Sequence, residues 1–229
     1  EKIKTEFLAQ VSHEIRTPIN IIVSSTNLIK ESVYDLVDPE YRQLFSSIDS
    51  ASFRIIRTID QILNMSELQI GSFQTNPKLI DLKNDILESL YNEYLRLAEN
   101  KGLSLITKYQ IEDAKIFADE YCVTQIFANL IDNAIKYTKE GSVEIILTEN
   151  NNKEKVVMIK DTGIGISEEF LPRLFEPFVQ EEQGYSRPYE GNGLGLALVK
   201  KYCELNNASI TVESQKNVGT TFTVTFLKK

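Results

Sequence analysis

"FLAQVSHEIRTPIN", residues 7–20, contains the only histidine of the chain, His13, in a stretch whose apolar residues repeat as they do in a helix. From Leu8 these residues follow one another at alternating steps of three and four, the spacing of a helix that packs along one seam. Counted in heptads from Leu8, His13 falls at the position farthest from that seam. The stretch therefore predicts a long helix that presents a single imidazole to solvent.

The residues beside His13 are unusual for an ordinary surface histidine. Glu14 is adjacent, where a carboxylate can orient the imidazole and leave one ring nitrogen free as a nucleophile. Thr17 lies four residues on and shares the same helix face. Pro18 lacks the N–H that would bond the carbonyl of Glu14, and a proline inside a helix costs about 3 kcal/mol. A proline merely tolerated in a bent helix explains the break but not these neighbours, so His13, Glu14 and Thr17 are candidate catalytic residues.

A second seam of the same kind follows the first. It runs from Leu44 to Met65, and "YDLVDPEY", residues 34–41, supplies a turn between the two helices. The two seams predict an antiparallel helical hairpin. Because two helices alone cannot bury so many Ile and Leu residues, we expect a second copy of the chain to complete a homodimeric four-helix bundle. The alternative is that these apolar faces pack on the C-terminal half of the chain.

The pattern changes at "QIGSFQTNP", residues 69–77, which contains the first glycine and ends the second helix. Beyond it, helices are predicted over residues 80–100, 121–138 and 194–207, and strands over residues 103–110, 115–119, 142–150, 155–161, 209–214 and 219–226. Strand pairs joined by short links favour a mixed, largely antiparallel sheet with helices on one face. The predicted fold is multi-domain: an all-α hairpin followed by an α+β sandwich.

Composition excludes several classes of protein. A formal net charge of −8 argues against a nucleic-acid partner, since phosphate binding needs clustered Lys and Arg. No stretch approaches the roughly 20 apolar residues of a membrane span, and no signal peptide is visible, so we expect a cytoplasmic location without membrane contact in this fragment. Cys122 and Cys203 stand singly, which favours buried free thiols in a reducing compartment.

Polar residues share one face of the predicted helix that contains "NLIDNAIKYT", residues 129–138. Asn129 and Asn133 lie four residues apart, and Lys136 follows one turn later. Amide oxygens suit Mg²⁺, and a lysine can meet phosphates as a point charge. A solvated polar face would look the same, so this helix alone does not decide between the two interpretations.

Two glycine-rich segments follow. In "MIKDTGIGIS", residues 158–167, Asp161 ends a strand, where a carboxylate can accept the exocyclic amine of adenine, and the glycines after it let the backbone approach a flat ring. The same pattern is common in turns. In "GNGLGLALVKKY", residues 191–202, three glycines precede a helix whose N–H groups can cradle phosphate. The spacing of these glycines fits neither a Rossmann fingerprint nor a P-loop.

Taken in order, these motifs resemble those of the sensor histidine kinases of two-component systems. "HEIRTP" matches the phosphoacceptor box of that family: His, an acid, two residues, Thr or Asn, then Pro. The asparagine helix, "DTGIGI", "LFEPFVQ" and "GNGLGL" match the N, G1, F and G2 boxes of its catalytic domain, which shares its ATPase fold with gyrase, the Hsp90 chaperones and the MutL repair proteins. The resemblance covers nearly the whole chain.

The resemblance implies roles for individual residues. His13 would accept a phosphoryl group, Glu14 would assist as base, and Thr17 would position water for dephosphorylating a partner. ATP and Mg²⁺ would be the cofactors, with Mg²⁺ held chiefly by Asn133 and with Asn129 close to the phosphates. The nucleotide-binding residues would be Asn129, Asn133, Lys136, Tyr137, Asp161, Gly163, Gly165, Gly191, Gly193, Leu194, Gly195 and Thr220. One departure is Asn192, where the family more often has threonine.

The resemblance also implies a domain plan and an activity. Residues 1–68 would form the dimerisation and phosphotransfer domain, 69–77 a linker, and 78–229 the ATP-binding domain, in the cytosolic part of a larger, membrane-anchored sensor. The chain would phosphorylate its own histidine, pass the group to an aspartate of a response-regulator receiver domain, and dephosphorylate that partner. The polar segment 179–191 would be a lid over the nucleotide, with Phe175 and Phe178 either as apolar anchors at its hinge or as ordinary core residues.

Three other functions remain to be distinguished. A relative of the anti-sigma-factor kinases would phosphorylate serine or threonine and would not need a histidine-bearing hairpin. A nucleotide-gated scaffold would bind ATP without forming a phosphoprotein. A chaperone-like or topoisomerase-like clamp would hydrolyse ATP steadily and would lack the phosphoacceptor box.

Overall fold

The computed structural model describes residues 2–181 and 191–228 of the chain. It divides into two compact units, Glu1–Phe73 and Gln74–Lys229. The first unit is helical and the second combines helices with sheet, which confirms the predicted fold class. Within the described residues, every helix is too short or too polar to cross a membrane.

The first unit is an antiparallel hairpin of two helices, α1 (Lys2–Val33) and α2 (Pro39–Ile70). Pro39 occupies the first turn of α2, where a missing N–H leaves no helical bond unmade. Gly71 ends α2 in a left-handed conformation with φ of 76° and donates its N–H to the carbonyl of Glu67. Pro18 lies inside α1, and the helix continues on both sides of it.

Among the described residues, the two helices of one chain bury six, four of which are small. The buried positions are Ser12, Ile19 and Thr26 on α1 and Ser52, Met65 and Ser66 on α2. Those on α1 are seven residues apart, and each directly follows a predicted seam residue. Six large apolar residues of the seams are instead exposed in the single chain: Ile22, Ile29, Leu44, Ile48, Ile55 and Ile62. The hairpin therefore has an apolar face that its own two helices do not cover.

The second unit is built on a five-stranded sheet. Its strands in chain order are β2 (Ser104–Tyr109), β4 (Ser142–Glu149), β5 (Lys155–Asp161), β6 (Ala208–Gln215) and β7 (Gly219–Phe226). In space the order is β2-β4-β5-β7-β6, and every neighbouring pair is antiparallel except β2 with β4. Alternate residues of β4 and β7 are buried, as expected of a sheet with one face covered. The predicted mixed, largely antiparallel sheet is confirmed.

Three helices cover the sheet: α3 (Glu88–Asn100), α4 (Glu120–Tyr137) and α5 (Gly195–Leu205). The apolar face of α4 includes Ile126, Phe127 and Leu130, all fully buried. Cys122 on α4 and Cys203 on α5 are free and buried, as predicted. Burial raises the pKa of both thiols to about 12, so neither is suited to nucleophilic chemistry.

A two-stranded ribbon was not predicted. β1 (Pro77–Asp81) pairs antiparallel with β3 (Lys115–Asp119). The predicted helix over residues 80–100 was therefore wrong in its first two residues, which belong to β1. Asp81 instead caps the following π-helical segment, Leu82–Leu87, because its carboxylate accepts from the backbone N–H groups of Lys83 and Asn84, each at 3.0 Å.

Candidate functional site

The candidate catalytic residues lie on the solvent side of α1. His13, Glu14 and Thr17 are all exposed, as predicted from the heptad position of His13. The Thr17 hydroxyl donates to the carbonyl oxygen of His13 at 3.0 Å. Its two oxygen lone pairs remain able to accept a hydrogen bond from water. The imidazole is thus presented on an outer helix face where a second molecule can reach it.

Four of the predicted nucleotide-binding residues, Asn129, Asn133, Lys136 and Tyr137, lie in the second half of α4. Asn129 is only 4% exposed, and its side-chain N–H donates to the carbonyl of Gln125 at 2.8 Å. Asn133, Lys136 and Tyr137 are half-buried. The Lys136 ammonium lies 4.8 Å from the centroid of the Tyr137 ring, a cation–π contact that orients the lysine.

One residue at the end of α4 was missed by sequence reasoning. Lys101 directly follows α3. Its ammonium donates to the carbonyls of Ile135 at 2.6 Å and Lys136 at 2.8 Å. It therefore satisfies carbonyls in the last turn of α4, the turn that holds Lys136 and Tyr137. Burial lowers the pKa of Lys101 below its ordinary value. No local pattern could have indicated this contact, because the two partners are 34 and 35 residues apart.

Asp161 lies at the end of β5 directly opposite Thr220 on β7. Its side chain is buried, at 7% exposure, and its Oδ1 accepts from the backbone N–H of Gly163 at 2.8 Å and of Thr220 at 3.3 Å. Both bonds described for this carboxylate use the same oxygen, so Oδ2 can accept from a ligand. Burial outweighs the two backbone hydrogen bonds and raises the pKa of Asp161 above its usual range.

The turn after Asp161 packs closely against the end of α4. A Cβ added to Gly163 would lie 2.6 Å from the carbonyl oxygen of Tyr137, and the N–H of Ile164 donates to that same oxygen at 3.2 Å. Gly165 has φ of +64°, which an L side chain rarely adopts. The glycines thus bring the Asp161 turn and the polar end of α4 into contact, as a shared binding site requires.

The second glycine segment, residues 191–195, lies close to Lys136. A Cβ on Gly191 would lie 3.1 Å from the Lys136 ammonium, and Gly193 has φ of +71°. The N–H of Leu194, which is buried, donates to the side chain of Asn192 at 3.0 Å. Gly195 then begins α5, whose first N–H groups point to the segment. A helix N-terminus beside an ammonium group favours an anionic ligand such as a phosphate.

The segment between residues 178 and 191 is joined at its two ends. The backbone N–H of Phe178 donates to the carbonyl of Gly193 at 2.9 Å, and the Gln180 side chain donates to the carbonyl of Gly191 at 2.7 Å. The Phe178 side chain is 67% exposed, so the expectation that its ring is an apolar anchor was wrong: the backbone makes the contact. Phe175 is half-buried beneath the Lys200 ammonium. Most of the predicted lid, residues 182–190, lies outside the described residues, and so does Arg187, a candidate for contact with the γ-phosphate.

A magnesium ion fits the chemistry of the donors on α4. Among residues 2–181 and 191–228, no group of three His, Cys, Asp or Glu side chains could hold a metal. Mg²⁺ commonly takes only one or two protein ligands and completes its shell with phosphate oxygens and water. The half-buried amide of Asn133, on the face that also carries Asn129 and Lys136, suits such a role.

Two family models match the chain. One, described as the His Kinase A (phospho-acceptor) domain, matches residues 3–71. The other, described as the histidine kinase-, DNA gyrase B- and HSP90-like ATPase, matches residues 118–229. His13 lies within the first match, and Asn133, Asp161 and Thr220 lie within the second.

Curated relatives are similar over almost the whole chain. The autoinducer 2 sensor kinase/phosphatase LuxQ of Vibrio parahaemolyticus is 37% identical over 228 residues, which are 97% of this chain and 26% of that protein. The sensor protein SrrB of Staphylococcus aureus is 31% identical over 224 residues, 98% of this chain and 38% of that protein. The chain thus spans about a quarter to two fifths of the length of these relatives.

Solved structures share the fold. Full-length ShkA in complex with AMPPNP has a TM-score of 0.75 at 24% identity, and the match covers 96% of this chain and 45% of the ShkA chain. The histidine kinase AdeS of Acinetobacter baumannii has a TM-score of 0.64 at 23% identity, and the match covers 93% of this chain and 96% of the AdeS chain. The phospho-acceptor match, the ATPase match and the curated relatives together place the chain in one family: it belongs to the sensor histidine kinases, the protein-histidine kinases of two-component signalling.

Proposed function

We propose that the chain transfers the γ-phosphoryl group of ATP to its own His13 and then to an aspartate of a response-regulator receiver domain. The observation that carries this proposal is the exposed imidazole of His13 on the helix that matches a phospho-acceptor domain. An exposed imidazole can be approached from solvent by different partners in turn. A buried site could not serve two partners in turn.

The second unit supplies the nucleotide site. Asp161 Oδ2 accepts a hydrogen bond from the 6-amino group of adenine. Thr220 lies directly opposite Asp161 on the neighbouring strand. Lys136 and the N-terminus of α5 hold the phosphates by charge. Asn133, with Asn129 nearby, holds Mg²⁺, which when bound neutralises charge on the phosphate oxygens. These residues position the γ-phosphate, and positioning with charge neutralisation accounts for most of the catalysis in phosphoryl transfer.

The transfer step uses the groups on α1. A ring nitrogen of His13 attacks the γ-phosphorus in line, the new P–N bond forms as the bond to the β-phosphate oxygen breaks, and ADP leaves. The proton lost by the imidazole passes to Glu14. The carboxylate of an aspartate on the partner's receiver domain then attacks the phosphorus, and His13 is released.

The kinase proposal is tested by incubating the purified chain with γ-labelled ATP and Mg²⁺. We expect protein-bound label that is lost in acid and survives base, as a phosphoramidate is. Label with the opposite stability would identify a serine or threonine kinase. ATP binding without protein-bound label would identify a nucleotide-gated scaffold, and steady ATP turnover without label would identify a clamp ATPase.

The chain is also proposed to dephosphorylate its receiver partner, as the name of the LuxQ relative, sensor kinase/phosphatase, states for that protein. The Thr17 side chain is exposed, and its hydroxyl oxygen can accept from the attacking water while its proton bonds the carbonyl of His13. We expect Thr17→Ala to slow dephosphorylation of the phosphorylated receiver about tenfold or more, by loss of one hydrogen bond to water in the transition state. Thr17→Ser keeps the hydroxyl and is the control. Equal rates in the alanine variant and the wild type would remove this role.

A second copy of the chain is proposed to cover the apolar face of the hairpin. Ile22 is 51% exposed in one chain although it lies on a predicted seam. We expect Ile22→Glu to raise the dimer dissociation constant roughly tenfold or more, because each copy would bury a charge in place of an isoleucine. Ser24→Glu, at an exposed position off the seam, is the matched control. Sedimentation velocity measures both variants, and an unchanged dimer in Ile22→Glu would contradict this interface.

We also propose that the chain is the cytosolic part of a longer sensor, since it covers only 26% of the LuxQ relative. A topology reporter placed after Asn150, in the exposed turn between β4 and β5, tests this in the intact protein. Activity of a cytosolic reporter is expected. Activity of an extracytoplasmic reporter would contradict the proposal.

A further inference from the structure

Three side chains cross the sheet in one row beneath the proposed adenine site. Asp161 on β5 is directly opposite Thr220 on β7, and Thr220 is directly opposite Ser214 on β6. Residues directly opposite each other on neighbouring strands point to the same face of the sheet. Ser214 therefore stands two strands away from Asp161 and is linked to it through Thr220.

The Ser214 hydroxyl makes three contacts, and its one proton can serve only one of them. It accepts from the backbone N–H of Ile166 at 2.8 Å, donates to the carbonyl of Gly219 at 3.0 Å, and lies 2.9 Å from the Thr220 hydroxyl. Because a serine hydroxyl has a single hydrogen, the bond to Gly219 leaves Ser214 as acceptor toward Thr220. The Thr220 hydroxyl then donates its hydrogen bond to Ser214, and only its lone pairs are left for a ligand.

The backbone around this row has little room to adjust. A Cβ on Gly219 would lie 2.0 Å from the carbonyl oxygen of Asp161, and one on Gly165 would lie 2.0 Å from that of Gln215. The N–H of Asn217 donates to the carbonyl of Ile164 at 2.7 Å. The strands are held so closely that the backbone has little room to move. The direction of the Thr220 hydroxyl proton therefore decides whether Thr220 acts as a donor or an acceptor toward a ligand.

We propose that Ser214 is a positioning residue for base selection. By accepting the hydrogen bond of the Thr220 hydroxyl, it leaves only acceptors in this row for a ligand, which favours a 6-aminopurine over a 6-oxopurine. The proposal rests on the function proposed above, in which Asp161 receives the adenine amine. At the 6-position of the purine, an amino group has two N–H donors for the Asp161 carboxylate and the Thr220 hydroxyl oxygen. A 6-oxo group is itself an acceptor and cannot donate to either of them. An unpaired polar group in a buried site weakens binding.

The experiment compares binding of ADP and IDP, with Mg²⁺, to the wild type, Ser214→Ala and Ser209→Ala by calorimetry. In Ser214→Ala the proton of Thr220 is free to turn toward a 6-oxo group, so we expect the preference for ADP over IDP to fall roughly fivefold, through tighter IDP binding. Ser209, exposed on the same strand, is the matched control and should leave the preference unchanged. Ser214→Thr keeps the hydroxyl and should restore it. A purely structural role for Ser214 would weaken both nucleotides equally and would overturn the proposal.

Two further measurements sharpen the result. In the double variant Ser214→Ala with Thr220→Val no hydroxyl proton remains, so the gain in IDP binding should disappear, and its persistence would overturn the proposal. In the wild type alone, purine riboside diphosphate, which has no 6-substituent, should bind more tightly than IDP, and the reverse order would equally overturn it. If the wild type binds none of these nucleotides, the proposed ATP site fails as well. If it binds ADP but Ser214→Ala keeps the wild-type preference, only this inference fails.

Discussion

His13→Gln is expected to abolish protein-bound label from γ-labelled ATP and to leave ATP binding unchanged. Glutamine has a polar side chain of similar length but lacks a nucleophilic ring nitrogen, so no P–N bond can form. The substitution lies on an exposed face of α1, in a different compact unit from the proposed nucleotide site. Folding and nucleotide affinity should therefore be unaffected. Label incorporation and nucleotide binding by calorimetry measure the two effects separately.

Two companion variants make this result specific. Asn20→Ala changes an exposed residue one heptad after His13 and should incorporate label at the wild-type rate. Asn133→Ala should also lose label, but for a different reason: nucleotide and Mg²⁺ binding is weakened, whereas the phosphoryl acceptor His13 is still present. Label retained in His13→Gln would show that another residue accepts the phosphoryl group, and the kinase proposal would fail however well the chain binds ATP.

Asp161→Asn is expected to weaken nucleotide binding about 100-fold without lowering the stability of the unliganded protein. Asparagine keeps an oxygen for the N–H groups of Gly163 and Thr220 but places an amide N–H₂ where the adenine amine would donate. Two donors then face each other, and the charge-assisted hydrogen bond is lost. Together these effects amount to about 2–3 kcal/mol, which corresponds to roughly that loss in affinity.

The stability part of this prediction follows from the pKa of Asp161. Burial raises that pKa in the folded protein, so the folded state holds the proton more tightly than the unfolded state does. As pH rises from below the ordinary value of 3.8 to above the raised pKa, the free energy of unfolding contributed by this group decreases. Above that range the buried charge opposes folding, and uncharged asparagine removes this cost.

Thermal unfolding at pH 7 checks the stability of Asp161→Asn, and the melting temperature should be equal to or higher than that of the wild type. Asp113→Asn, at an exposed carboxylate, is the control and should change neither binding nor melting. A variant that binds ADP as the wild type does would remove Asp161 from the adenine site. A large loss of stability would mean that the carboxylate serves the fold.

Most of the secondary structure could be predicted because it depends on patterns within one segment. The apolar stripe of α4 and the alternation of β4 and β7 are visible in the sequence, and the structure has them within one or two residues of the expected limits. The start of the helix after the linker was placed two residues too early. Ile80 and Asp81 fit a helical pattern by themselves, but pairing with β3, more than 30 residues away, makes them a strand.

The hairpin illustrates a different limit of sequence reasoning. The heptads predicted two helices and an exposed His13, and both are present. They did not indicate that Ser12 and Ser52 would be buried within one chain while Ile22 and Ile55 remain exposed. Small residues allow two helices to approach closely, and which face does so depends on how the helices are rotated, a property of the pair that neither helix carries alone.

The sequence by itself was sufficient for the phosphoacceptor motif, the order of the glycine segments and the alternation of helices and strands, because each depends on residues close together in the chain. Only the tertiary structure placed Thr220 and Ser214 in line with Asp161, and the Lys101 ammonium on the end of α4. The Lys101 contact with Ile135 joins residues 34 positions apart, and the Asp161 contact with Thr220 joins residues 59 positions apart. Strand register and helix packing bring such residues together, and both are decided by the burial of the whole core.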